Sequence, residues 1–130
     1  MTAAVVSRPV AHRVMASMRA SKKEMKKVKI TAVRRTCYPD LMEQYENPVE
    51  HACEVEIGMV WVSENGEKPE KFCNAAWEGM APFVKTLAEG GGNFYDGWMK
   101  NPHSAMLSCN DGFRPVSYYL EAIEDEKNNC

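Results

Sequence analysis

The chain has no run of about 18 apolar residues, so nothing in it reads as a membrane span. It has no Cys-x-x-Cys pair, the local anchor that a zinc knuckle or a thioredoxin-type redox site would need. Its glycine run, Gly90-Gly91-Gly92, lacks a following Gly-Lys-Ser/Thr and comes after a predicted helix instead of before one, which excludes a phosphate loop. His12, His51 and His103 are scattered, and no Ser-His-Asp arrangement can be read from their order. No internal repeat and no low-complexity segment is present. No apolar secretory signal with a cleavage site stands at the start, which predicts an intracellular, reduced, cytoplasmic protein.

What is present bounds the answer further. The 130 residues allow one domain plus an arm, and a hydrophobic fraction of 45 % is enough for a core. A chain this small buries a modest share of its surface, so self-association would help it, and a homo-oligomer is expected. The net charge of −2 hides an asymmetry. Residues 1–36 carry ten Lys/Arg against one acid, and the remainder carries six Lys/Arg against seventeen acids. The two parts should attract, within a chain or between subunits. The acidic body argues against a dedicated nucleic-acid fold. The five cysteines, Cys37, Cys53, Cys73, Cys109 and Cys130, are an odd number, which leaves a cross-chain disulfide through Cys130 open.

Periodicity divides the chain into an N-terminal basic arm (1–24), a domain (25–123) and an acidic tail (124–130). The arm supports three readings: a solvated segment, an amphipathic helix that docks on a partner or a neighbouring subunit, or an Arg-rich targeting peptide. Val28 to Arg35 alternates at period two and predicts a strand. Tyr38-Pro39-Asp40 breaks it, and Asp40 is expected to cap a short helix from Leu41 to Tyr45. Glu54 to Ser63 reads as a second strand with a bulge at Gly58, followed by an Asn65-Gly66 turn. Asn74 is expected to cap the main helix, with Trp77, Met80, Ala81, Val84, Leu87 and Ala88 on one face. Pro82 should kink that helix or begin a second one, and the glycine run should end it. Ser104 to Cys109 and Pro115 to Ile123 read as strands joined by a turn at Asn110-Asp111-Gly112. The result is an α+β fold: about four mostly antiparallel strands in β-β-α-β-β order, one face covered by a Pro-kinked helix.

Several of these segments together resemble a family of small prokaryotic proteins. They are Lys27-Val28-Lys29-Ile30-Thr31, Arg35-Thr36-Cys37, Asp40-Leu41, Phe72-Cys73-x-x-Ala76-Trp77, Gly91-Gly92-Asn93-Phe94, Trp98-Met99-Lys100 and Cys109-x-Asp111-Gly112-x-Arg114-Pro115-Val116. The resemblance covers about Met25 to Ile123. It implies a free-standing, single-domain, cytoplasmic prokaryotic protein, and it carries over no activity and no cofactor.

The same segments hold the candidate chemistry. Cys73 precedes a predicted helix, whose positive end favours a thiolate, so it is the best nucleophile or metal ligand in the chain. The plain alternative buries it beneath Trp77. If Cys37, Cys73 and Cys109 meet, they can bind zinc or copper(I), with His51 or His103 as a fourth ligand, or form a redox pair. Trp77, Phe94, Tyr95 and Trp98 can wall a pocket, with Asn93, Asp111 and Arg114 as its polar contacts and Arg114 suited to a carboxylate or phosphate. The plain alternative packs the rings between helix and sheet and pairs Arg114 with Asp111 or Asp96. Three functions follow: a small oligomeric ligand-binding or accessory protein with an aromatic and thiol-lined pocket; a thiol- or metal-dependent enzyme using Cys73 with Cys109 or Cys37; or an interaction protein that docks through residues 1–24.

Overall fold

Val28, Ile30 and Ala32 alternate with polar neighbours, and each is fully buried in strand β1 (Lys27–Arg35). This is the half-buried strand that period two predicts. It opens the computed structural model, which describes residues 25–48 and 54–124. The arm, His51, Cys53 and the tail with Cys130 lie outside the described residues. After β1 come helix α1 (Pro39–Tyr45), strand β2 (Val60–Ser63), helix α2 (Asn74–Ala88), strand β3 (Ser104–Ser108) and strand β4 (Val116–Ile123). The sheet order is β2-β1-β4-β3, and all neighbours are antiparallel. The fold is α+β, and α2 packs against β1, β3 and β4. Among the described residues, no helix is long and apolar enough to cross a membrane.

The core lies between α2 and one face of the sheet. Ala76, Met80, Val84 and Leu87 recur at helical spacing and meet Val28, Ile30, Val116, Tyr118 and Leu120. At one end Phe72, just before α2, sets its ring against three others: Trp61 at 5.0 Å, Tyr118 at 5.4 Å and Trp77 at 6.3 Å between centroids. The contacts are edge-on, the arrangement that ring quadrupoles favour.

Three local expectations are adjusted, and the choice left open at Pro82 is settled. Helix α1 starts at Pro39, whose fixed φ and missing N–H suit a first turn, and Tyr38 is its cap; Asp40 sits inside the first turn, where its charge complements the helix dipole. Strand β2 is shorter than Glu54 to Ser63. Gly58, at φ +98°, and Met59 both oppose Ala32, through Gly58 N–H to Ala32 O (2.8 Å) and Ala32 N–H to Met59 O (2.9 Å), so the expected bulge turns the chain off the sheet. The cap of α2 is Cys73, one residue before Asn74, and no side-chain hydrogen bond closes it. Finally, α2 is one helix from Asn74 to Ala88, with Pro82 inside it and no second helix begun there. It ends in paired bonds from Gly90 N–H to Leu87 O (3.0 Å) and Gly91 N–H to Thr86 O (2.9 Å), a Schellman stop.

Pro82 deprives the Glu78 carbonyl of its helical donor. Pro82→Ala is therefore expected to raise the unfolding free energy by about 1–3 kcal/mol, as a higher midpoint in urea. An unchanged midpoint would show that the helix already accommodates the ring without loss.

Candidate functional site

The loop from Gly91 to Trp98 is built by its backbone. Asn93, Tyr95 and Asp96 have φ of 50°, 53° and 52°, and Gly97 follows at 93°. Non-glycine residues rarely adopt this left-handed region, and a bulky aromatic least of all. Local bonds hold it: Gly97 N–H donates to Asn93 Oδ1 (2.9 Å), Asp96 N–H to Asn93 O (3.2 Å) and Trp98 N–H to Phe94 O (3.3 Å). Asn93 N–H also donates to Pro102 O (2.6 Å), which ties the loop to the approach of β3. Backbone strain of this kind, where it persists, tends to gather at functional sites.

The loop turns Tyr95 outward, 74 % exposed, with Trp98 42 % exposed and edge-on to it at 5.3 Å. Phe94 points inward and meets Phe83 of α2 at 4.8 Å. Between loop and helix lies a cleft of about 310 Å³, open to solvent and lined by Pro82, Phe83, Thr86, Phe94 and Tyr95. Its volume is at the small end for ligand sites. The Thr86 hydroxyl donates to Pro82 O (3.0 Å), so the wall facing the rings is largely apolar.

Of the residues expected to share one pocket, the cleft takes only Phe94 and Tyr95, with Trp98 edge-on to Tyr95 beside it. Trp77 belongs to the Phe72 cluster in the core. Asn93 spends its side-chain oxygen on Gly97 and builds the loop instead of contacting a ligand. Arg114 is committed elsewhere. Its guanidinium forms a bidentate pair with Glu46, at 2.9 and 2.6 Å, and lies 4.0 Å from Asp111. The Glu46 hydrogen bonds hold Arg114 above its already high pKa; partial desolvation opposes the rise, and the charges of Glu46, Asp111 and Cys37 add to it. Asp111 Oδ1 accepts from Phe113 N–H (2.8 Å) and Arg114 N–H (3.2 Å), so it shapes the turn before β4. With Tyr38 N–H on Phe113 O (2.9 Å), this cluster clasps α1 to the β3–β4 turn.

The thiols do not form the expected site. Among the described residues, no three His, Cys, Asp or Glu side chains are grouped so as to hold a metal ion, which removes Cys37, Cys73 and Cys109 as a ligand set. Cys73 is exposed, not packed beneath Trp77. Cys109 is half-buried, and its sulfur accepts from Val116 N–H at 3.3 Å. Cys37 is exposed, on the Arg114 side of the molecule. The His103 ring lies against Gly91 O at 3.2 Å. Among the described residues no cysteine lines the cleft, and of the four rings expected to wall it only Phe94 and Tyr95 do.

Three cleft residues, Pro82, Phe83 and Thr86, escaped sequence reasoning. They sit at i, i+1 and i+4 on α2, a second stripe beside the core-facing one, and that spacing is the signal that could have found them. No protein-family model matches the chain, and no curated protein or solved structure is detectably similar to it.

Proposed function

We propose that this is a small ligand-binding or accessory protein that takes an apolar, flat or chain-like group in the cleft between α2 and the 93–98 loop. One observation carries the reading: Tyr95 is held in the left-handed region by a hydrogen-bonded loop and is left 74 % exposed beside an apolar hollow. A residue serving only the core would be turned inward, and one serving only the turn would be small and polar. The size and openness of the cleft suit a single ring or a short stretch of peptide. Membership of the small prokaryotic family that the chain resembles belongs to this proposal and supplies no activity. The enzyme reading needs thiols that meet; Cys37 and Cys73 are exposed, and Cys109 is engaged within its own hairpin through Val116 N–H.

Indole is a suitable probe, because it matches the cleft in size and can stack on Tyr95 and Phe83. In amide correlation spectra titrated with indole, shifts are expected at Phe83, Thr86 and Phe94 to Trp98. Tyr95→Ala should weaken binding about tenfold, the loss of one stacked ring with its buried area. Shifts scattered over the whole molecule, or unchanged binding in Tyr95→Ala, would reject the cleft as the site.

A further inference from the structure

An antiparallel sheet covered by a helix on one side is usually polar on the other. This sheet is not. Strand alternation places Thr31 and Tyr119 opposite the helix, and the register adds Val60 and Met106, so one row across all four strands reads Val60–Thr31–Tyr119–Met106. Val60 is 48 % and Met106 39 % exposed. The adjacent row runs Val62–Lys29–Glu121–Ser104, with Val62 41 % exposed and Ser104 buried. At the β3 edge Asn101 closes one corner, through Tyr119 Oη at 3.5 Å and through the bond from the buried Ser104 hydroxyl to Asn101 O (2.7 Å).

We propose that this face is the interface with a second copy of the chain. A two-fold axis makes this face complementary in charge to a second copy of itself. An axis parallel to the strands, lying between β1 and β4, sets β1 of one copy over β4 of the other. Lys29 then faces the partner's Glu121, and Glu121 faces the partner's Lys29. Thr31 meets Tyr119, and Val60 meets Met106. The Lys29–Glu121 pair and the Val60–Thr31–Tyr119–Met106 row are both self-complementary under that one operation, as a two-fold interface requires. The sheets stack aligned, offset by roughly 30° from their twist, with both α2 helices outermost. Strands β1 and β4 have nine and eight residues. At about 3.4 Å per residue and about 4.8 Å between strands, the face spans on the order of 400–500 Å² per copy. Doubled over two copies, about 800–1,000 Å² is below a standard specific interface and in the weak, transient range, so the dimer forms only at high concentration.

The test is sedimentation velocity on the full chain. Wild type should shift from one chain mass to two as concentration rises. Lys29→Glu and Glu121→Lys should each raise the dimer dissociation constant at least tenfold, because each sets like charges face to face twice. An equimolar mixture of the two variants should recover the dimer, since every facing pair is then opposite in sign. Met106→Lys should also dissociate it, with no charge neighbour altered within the chain; circular dichroism confirms that each variant is folded. A wild type that is monomeric at all concentrations overturns the proposal, and so does a mixture that stays monomeric. If deleting residues 1–24 turns a monomer into a dimer, that segment is the occupant of the face and the second copy is not.

Discussion

Phe72→Ala is expected to lower the unfolding free energy by about 3–5 kcal/mol, read as a fall in the urea midpoint with the slope unchanged. The reason is the company Phe72 keeps. Its ring is buried and wedged edge-on among Trp61, Tyr118 and Trp77. Flat rigid rings collapse poorly into a void, so the cavity term adds to the lost transfer energy instead of being relieved. The four rings come from β2, β4, the first turns of α2 and the segment just before its cap. The loss therefore loosens the helix from the sheet as well as emptying a site. Set against a usual total of about 5–15 kcal/mol, it takes a large share. Phe72→Leu retains most of the volume and should cost about 1–2 kcal/mol. A cost under about 1 kcal/mol for the alanine variant would mean that the cluster is not close-packed.

The second large effect is expected at Gly92. A Cβ there would collide with the Pro102 carbonyl oxygen and stand 3.1 Å from His103 Nδ1. The first obstacle is backbone, and that same oxygen accepts the bond from Asn93 N–H. The loop cannot shift aside without giving up its tie to β3. Gly92→Ala should therefore cost about 1–3 kcal/mol and also abolish indole binding, because Tyr95 and Trp98 are positioned from this anchor. Two other glycines separate these effects. Gly90 is left-handed at φ +92° with open space around it, so Gly90→Ala should cost about 1 kcal/mol and leave the cleft intact. Gly112 has neither a positive φ nor a neighbour within 4 Å, and Gly112→Ala should change stability by less than about 0.5 kcal/mol. If Gly92→Ala binds indole as wild type does, the loop does not depend on its anchor.

The sequence by itself determined the elements and their order, because the physics that selects them is local. Alternation at Val28–Ile30–Ala32, the recurrence of Met80, Val84 and Leu87, the bulge glycine at 58 and the helix stop at Gly90 each act within a few residues. The turn at Asp111 was legible for the same reason, since its carboxylate bonds two and three residues along the chain. Partner choice was decided only by tertiary structure. Arg114 finds Glu46 across 68 positions, and no local pattern announces that pair. Cysteine and tryptophan carry no local rule for which neighbour they meet. Cys109 turned to its own hairpin, Cys73 to solvent and Trp77 into the core, while the cleft drew Phe83 and Thr86 from a helix stripe beside the apolar one. Helices and strands follow from short-range sterics and burial period; a site follows from where remote segments are brought together, and that is set by how the helix lies on the sheet.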